Sequence, residues 1–176
     1  MLKEFKNGKF LDIKIPENED CASLVEMMKT TYAESEFLTR YEDEFHISVE
    51  DEMKWISKFD QKTSYMLIVK DGDKVVGNAA INPVGSVDKL KHRCSFGIAL
   101  INAYHGLGVG RFLTKQMIAF ASKAGYKQIE LEVVSKNHKA INLYLSEGFK
   151  VYGTRPNAFR YRDGRYVDEY LMVKEL

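Results

Sequence analysis

Residues 103–111 read AYHGLGVGR and place glycine at every second position, Gly106, Gly108 and Gly110. The run HRCSFGIAL (92–100) comes before them and has the character of a strand. From Gly110 onward Leu113, Met117, Phe120, Ala121 and Ala124 recur at helical spacing, and Gly125 ends the pattern. The quoted stretch is therefore a strand-to-helix junction. Glycine there weakens both neighbours unless the main chain itself has a task. The first N–H groups of a helix have no partner within it, and the dipole adds roughly half a positive charge at that end. Without side chains in the way, a phosphate reaches those amides. A plain tight turn needs one glycine, so the alternating run points to an anion site.

The common nucleotide signatures do not fit. A phosphate loop of the G-x-x-x-x-G-K-[ST] type needs a Lys-Ser or Lys-Thr that is missing here. A dinucleotide fingerprint needs G-x-G-x-x-G, and here the third glycine comes one place early. Glu130 stands at a suitable distance for a ribose contact, yet it falls inside the apolar run QIELEVV (128–134) rather than at a strand end.

Working outward, FLDIKI (10–15) alternates as a first strand and stops at Pro16. Asp20 is placed to cap a helix with the stripe Leu24, Val25, Met28 and Tyr32. AESEFLTRYEDEFHIS (33–48) has no clean period and reads as a loop. Ser48 with Asp51 resembles a capping box opening a short helix with Val49, Met53 and Ile56 on one face. Two apolar runs flank Asp71-Gly72, a hairpin signal. NHKAINLYLSE (137–147) reads as a helix ended by Gly148, and two last strands join through RDGR (162–165). The order β-α-α-β-β-β-α-β-α-β-β, with hairpins and βαβ crossovers, gives a single α+β domain with a mixed sheet over residues 1–176.

The 176 residues suffice for one sizeable core, and 45% hydrophobic with 29% charged content is ordinary for a globular chain. A formal net charge of +1 supplies no field toward nucleic acid or membrane surfaces. No apolar run is long enough to span a bilayer, and the charged opening MLKEFKNGKF lacks the apolar core of a signal peptide. Cys21 and Cys94 match no metal spacing and read as reduced, buried apolar residues, so a cytoplasmic location and no metal are expected.

HGLGVG (105–110) resembles the R/Q-x-x-G-x-G/A pyrophosphate loop of the GNAT superfamily of acetyl-CoA-dependent N-acetyltransferases. NHKAINLYLSEGFKVYG (137–153) is similar to that superfamily's N-x-x-A-x-x-L-Y-x-x-x-G-F segment, and the two lie in the family's order. The likeness covers nearly the whole chain and looks closest to small bacterial acetyltransferases grouped with ribosomal-protein and amino-acid acetyltransferases. It implies a GNAT-like fold, a mixed, mostly antiparallel sheet of about seven strands flanked by about four helices. There are two departures. His105 stands where Arg or Gln is usual, and Ser95 stands where relatives often carry a glutamate.

The resemblance implies acetyl transfer from acetyl-CoA, as co-substrate, to an amine by direct attack. The amine belongs to an amino acid, a polyamine, another small amine or a protein N-terminus. It implies a cofactor loop of His105, Gly106, Leu107, Gly108, Val109, Gly110 and Arg111, with donors from the amides of Leu107 to Arg111. The pantetheine arm is expected to pair with Ile98, Ala99 and Leu100, with an N–H near Ala99 as donor to the thioester oxygen. Asn137, Asn142 and Tyr144 are expected at the cofactor, Tyr144 in the family position of the general acid to the leaving thiolate. With Ser95 in place of an acid, Glu34 and Glu36 become the acceptor-side carboxylates, and Tyr41, Phe45, Asn157 and Tyr161 the pocket walls. The expected partner is a small-molecule or peptide amine, without nucleic acid or membrane; a homodimer stays open. A non-catalytic acyl-CoA sensor is the other reading, since it would keep the loop and have no use for Tyr144.

Overall fold

The computed structural model describes residues 1–176. Eight strands form one sheet: β1 (Leu2–Glu4), β2 (Phe10–Lys14), β3 (Tyr65–Asp71), β4 (Lys74–Pro83), β5 (Arg93–Leu100), β6 (Gln128–Val134), β7 (Lys150–Arg160) and β8 (Tyr166–Glu175). Four helices complete it: α1 (Cys21–Glu34), α2 (Val49–Ile56), α3 (Val109–Lys123) and α4 (His138–Ser146). The strand order is β1-β2-β3-β4-β5-β6-β8-β7. Only β5 and β6 run parallel, joined by the α3 crossover; all other pairs are antiparallel. No helix is long and apolar enough to cross a membrane.

Both faces of β3 are apolar because both are covered. Met66 and Ile68 join Leu24 and Met27 of α1 and Ile56 of α2 on one side. Leu67 and Val69 join Leu113 and Met117 of α3, and Ile141 and Tyr144 of α4, on the other. Cys21 and Cys94 are free thiols within these cores.

Four sequence expectations need correction. An eighth strand, β1, lies in the charged opening; its register against Phe10–Asp12, not apolar alternation, makes it a strand. Asp20 precedes α1 but its side chain does not cap that helix; it closes the capping box of the 3-10 turn at residues 18–20 instead. Its buried carboxylate accepts from the Glu17 N–H and pairs with Lys70 at 2.8 Å and Lys14 at 3.1 Å. Two half-buried ammonium groups attract it more strongly than one helix end. The turn between β3 and β4 is centred on Gly72 and Asp73, because Asp71 still pairs with Lys74. Finally, residues 42–44 within the expected loop make a turn of 3-10 helix. Ser48 does cap α2, accepting from the Asp51 N–H at 3.1 Å.

Candidate functional site

The Gly106–Arg111 loop crosses from the end of β5 to the start of α3. Gly106 and Gly108 take φ of +77° and +93°, a region that L side chains enter only with strain. The main chain turned this way leaves the N–H groups from Gly106 to Arg111 without any acceptor in the protein. The first amide with a partner is Phe112, which donates to the Gly108 carbonyl at 3.0 Å. The loop is braced from behind: Val109 is fully buried, and the Leu107 carbonyl accepts from the Lys6 N–H at 3.2 Å. Arg111 points to Glu147 at 3.4 Å, tying the start of α3 to the end of α4. A row of unpaired amides at a helix N-terminus, held by a rigid support, has the donors and the dipole that suit a polyanion.

Beside the loop, the sheet opens. β5 pairs with β6 only over Arg93–Ser95, and beyond that the two strands part. Ile101 N–H donates to the Val76 carbonyl and Val84 N–H to the Arg93 carbonyl, so odd-numbered β5 residues face β4. Lys127 N–H donates to the His92 carbonyl, so even-numbered residues face the β6 side. The N–H groups of Ile98 and Leu100 therefore lie on the open edge. The Ala99 N–H faces Asn78 of β4, so a donor near Ala99 on the open edge has to come from Ile98 or Leu100. His105 contributes indirectly, since its Nε2 lies 2.9 Å from the Leu100 carbonyl and covers it. Ser95 is exposed, and its hydroxyl donates to the Asn82 carbonyl at 3.3 Å.

Tyr144 comes from the inward face of α4. Its ring meets Phe96 edge-on at 6.1 Å and Phe149 at 5.8 Å, at the point where β5 leaves β6. The residue is buried, and burial pushes its phenol up to about 12. The hydroxyl has no hydrogen-bond partner, yet no fully buried side-chain polar atom in the protein lacks one, so its tip reaches open space. Asn137 accepts from the Ala140 N–H at 3.2 Å and caps α4, while Asn142 is exposed on the same helix.

The acceptor-side residues scatter. Glu34 accepts from the Asn102 N–H at 2.7 Å, which docks the end of α1 beside the open end of β5. The following loop packs Phe37 and Tyr41 against the small cluster of Val134, Tyr161 and Val167. Between this loop and β7 lies a cavity of about 320 Å³ lined by Glu36, Tyr41 and Tyr161 among others. The Tyr161 hydroxyl donates to the Glu36 carbonyl at 3.0 Å, and the Glu36 carboxylate faces Arg165 at 3.6 Å. Phe45 is buried against Tyr32 at 5.2 Å, and the Asn157 N–H donates to Asp168 at 2.9 Å; neither residue lines the cavity. Both were expected as walls, but Phe45 is drawn into the α1 packing and Asn157 into a β7 irregularity. Arg40 and Arg160 do line it and carry no sequence signal, because an arginine in a polar loop reads as solvated surface.

The family model for an acetyltransferase (GNAT) domain matches residues 13–171. An uncharacterized protein of Mycobacterium leprae is 39% identical over 106 residues, covering 60% of this chain and 28% of that protein. The L-amino acid N-acetyltransferase AaaT of Escherichia coli is 34% identical over 105 residues, covering 59% of this chain and 63% of its own length. The chain thus spans less than two thirds of these curated relatives. Among solved structures, an acetyltransferase of the GNAT family from Streptococcus pneumoniae superposes with a TM-score of 0.89 at 24% identity, over 94% of this chain and 99% of that one. Salmonella typhimurium yncA, solved with its cofactor acetyl-CoA, superposes with a TM-score of 0.82 at 22% identity, over 94% of each chain.

Proposed function

The chain belongs to the GNAT acetyltransferase family, and from that premise we propose that it moves the acetyl group of acetyl-CoA to a primary amine by direct attack with both substrates bound. One observation carries this reading: consecutive amides from Gly106 to Arg111 lie free at a helix start, beside an unpaired strand edge. The amides suit a pyrophosphate. The Ile98 and Leu100 N–H groups suit the extended, amide-bearing arm that joins a pyrophosphate to a thioester, in the manner of an added strand. The bound co-substrate supplies an acyl group on a thiol leaving group.

The residues then divide the work. The Ile98 or Leu100 N–H is the nearest class of donor for charge on a carbonyl oxygen at that edge. Tyr144 offers an O–H where the strands part. With its phenol at about 12 and a thiol near 8.5, full proton transfer is uphill by roughly 5 kcal/mol. Tyr144 therefore acts as a hydrogen-bond donor to the departing sulfur rather than giving up its proton. Glu34 fixes the end of α1, and Glu36 is the carboxylate nearer the acceptor. An ammonium acceptor must lose its proton before attack.

Calorimetric titration with acetyl-CoA, followed by thiol release in the presence of an amine panel, tests the proposal. Micromolar binding with amine-dependent release supports it. Binding without release for any amine returns the protein to the acyl-CoA sensor reading, and an absence of binding removes both.

A further inference from the structure

Five arginines are already committed to carboxylates. Arg93 holds Glu130, Arg111 holds Glu147, Arg155 holds Glu132 and Glu169, Arg162 holds Asp43, and Arg165 holds Asp163 and Glu36. The remaining two, Arg40 and Arg160, form no ion pair and no hydrogen bond; Arg160 has only the Tyr166 ring at 5.9 Å. Both line the same cavity between the loop after α1 and strand β7. Folding has matched every other guanidinium and left these two exposed side chains unpaired around one cavity. A guanidinium presents a planar fork of donors that fits a carboxylate.

The rest of the cavity agrees with a single small guest. Its volume of about 320 Å³ is at the low end for ligand sites. Tyr41, Phe159 and Tyr161 give it an aromatic wall. Tyr41 is held in place by Arg162, whose N–H donates to the Tyr41 hydroxyl at 2.9 Å and whose guanidinium stacks 4.0 Å over the ring. The one carboxylate in the lining, Glu36, is already faced by Arg165 and does not cancel the pair. The same loop reaches the end of β5 through Glu34 on Asn102, and its Phe37 and Tyr41 pack against the cluster of Val134, Tyr161 and Val167 that includes the end of β6.

We infer that the acceptor is a free amino acid, its carboxylate held by Arg40 and Arg160 and its side chain against the aromatic wall, leaving the amine to reach the opened edge of β5. This rests on the transfer reading above. A polyamine would meet two positive charges there, and the amine of a polypeptide N-terminus has no carboxylate beside it.

The test compares each of the twenty amino acids with its carboxamide, and adds spermidine and a peptide with a free N-terminus, with thiol release as readout. At least one amino acid should exceed its carboxamide by tenfold or more in kcat/KM. In the Arg40→Gln/Arg160→Gln double variant that advantage should vanish while the carboxamide rate stays the same; both side chains are exposed and unpaired, so the fold should tolerate the change. Equal rates for acid and carboxamide, an advantage that survives the double variant, or spermidine or peptide as the best acceptor would overturn the inference and leave acetyl transfer standing. Tight acetyl-CoA binding with no acceptor of any kind would remove the transfer reading, and this inference with it.

Discussion

The two proposed recognition surfaces, the loop after β5 and the cavity between the loop after α1 and β7, are made of different material. The Gly106–Arg111 loop offers main-chain amides alone; its single arginine is turned away to Glu147. The cavity between the loop after α1 and β7 offers side chains: two unpaired arginines, a carboxylate and three aromatic rings. Main-chain donors cannot be altered without moving the chain, so the first surface is fixed in what it binds. Side chains change one codon at a time, so the second can be retuned on an unchanged scaffold.

Tyr144 is the exception that breaks this division, a side chain proposed to serve the co-substrate half, and it should give the largest effect. Tyr144→Phe keeps the ring against Phe96 and Phe149 and removes only the donor. We expect kcat to fall by at least about tenfold, within the range for a lost positioned donor, at unchanged acetyl-CoA affinity. Burial raises this phenol above its ordinary value, so it stays protonated across the working range. The rate should therefore rise with pH as the amine deprotonates and show no Tyr144-dependent descending limb below pH 10. Parent-like turnover in Tyr144→Phe would return the residue to the core.

Next comes the loop itself. Gly108→Val forces a branched side chain to a φ of +93° and should raise the acetyl-CoA Kd by tenfold or more, about 1.4 kcal/mol, without touching acceptor KM. An unchanged Kd in a folded variant refutes the amide cradle. On the side-chain surface, Glu36→Gln should raise acceptor KM severalfold and Glu34→Gln somewhat less, since Glu34 is spent on the Asn102 N–H. Either variant shifting acetyl-CoA affinity instead would show that the two surfaces are not separate. The smallest effect belongs to His105→Ala. The imidazole covers only the Leu100 carbonyl, so acetyl-CoA affinity should move by less than about threefold, well under 1 kcal/mol. A tenfold loss would make His105 a ligand of the co-substrate in its own right.

The main-chain surface could be read from sequence because its bare amides are written in glycine positions. AYHGLGVGR shows where amides will be bare before any packing is known. The βαβ crossover and the apolar face of α4 carrying Tyr144 follow from periodicity in the same way. The side-chain surface could not be read so. Arg40 and Arg155 look equivalent in the chain, and only folding gives Glu132 and Glu169 to one and nothing to the other. Asp20 misled for a related reason, since Lys70 on β3, fifty residues away, is a partner that the local capping pattern does not announce. The side on which the Ala99 N–H emerges depends on strand register, which the apolar pattern of β5 does not report.

The short parallel join between Arg93–Ser95 and Gln128–Glu130 has a mechanical meaning as well. It divides the sheet into a block of five strands and a block of three, hinged on a seam about 10 Å long. Cooperative units in native proteins follow such lines of weak connection. Amides of β6 and β8 should exchange with solvent as one unit and those of β3 and β4 as another. A guest laid along the free edge of β5 would act as a splint across the gap and merge the two.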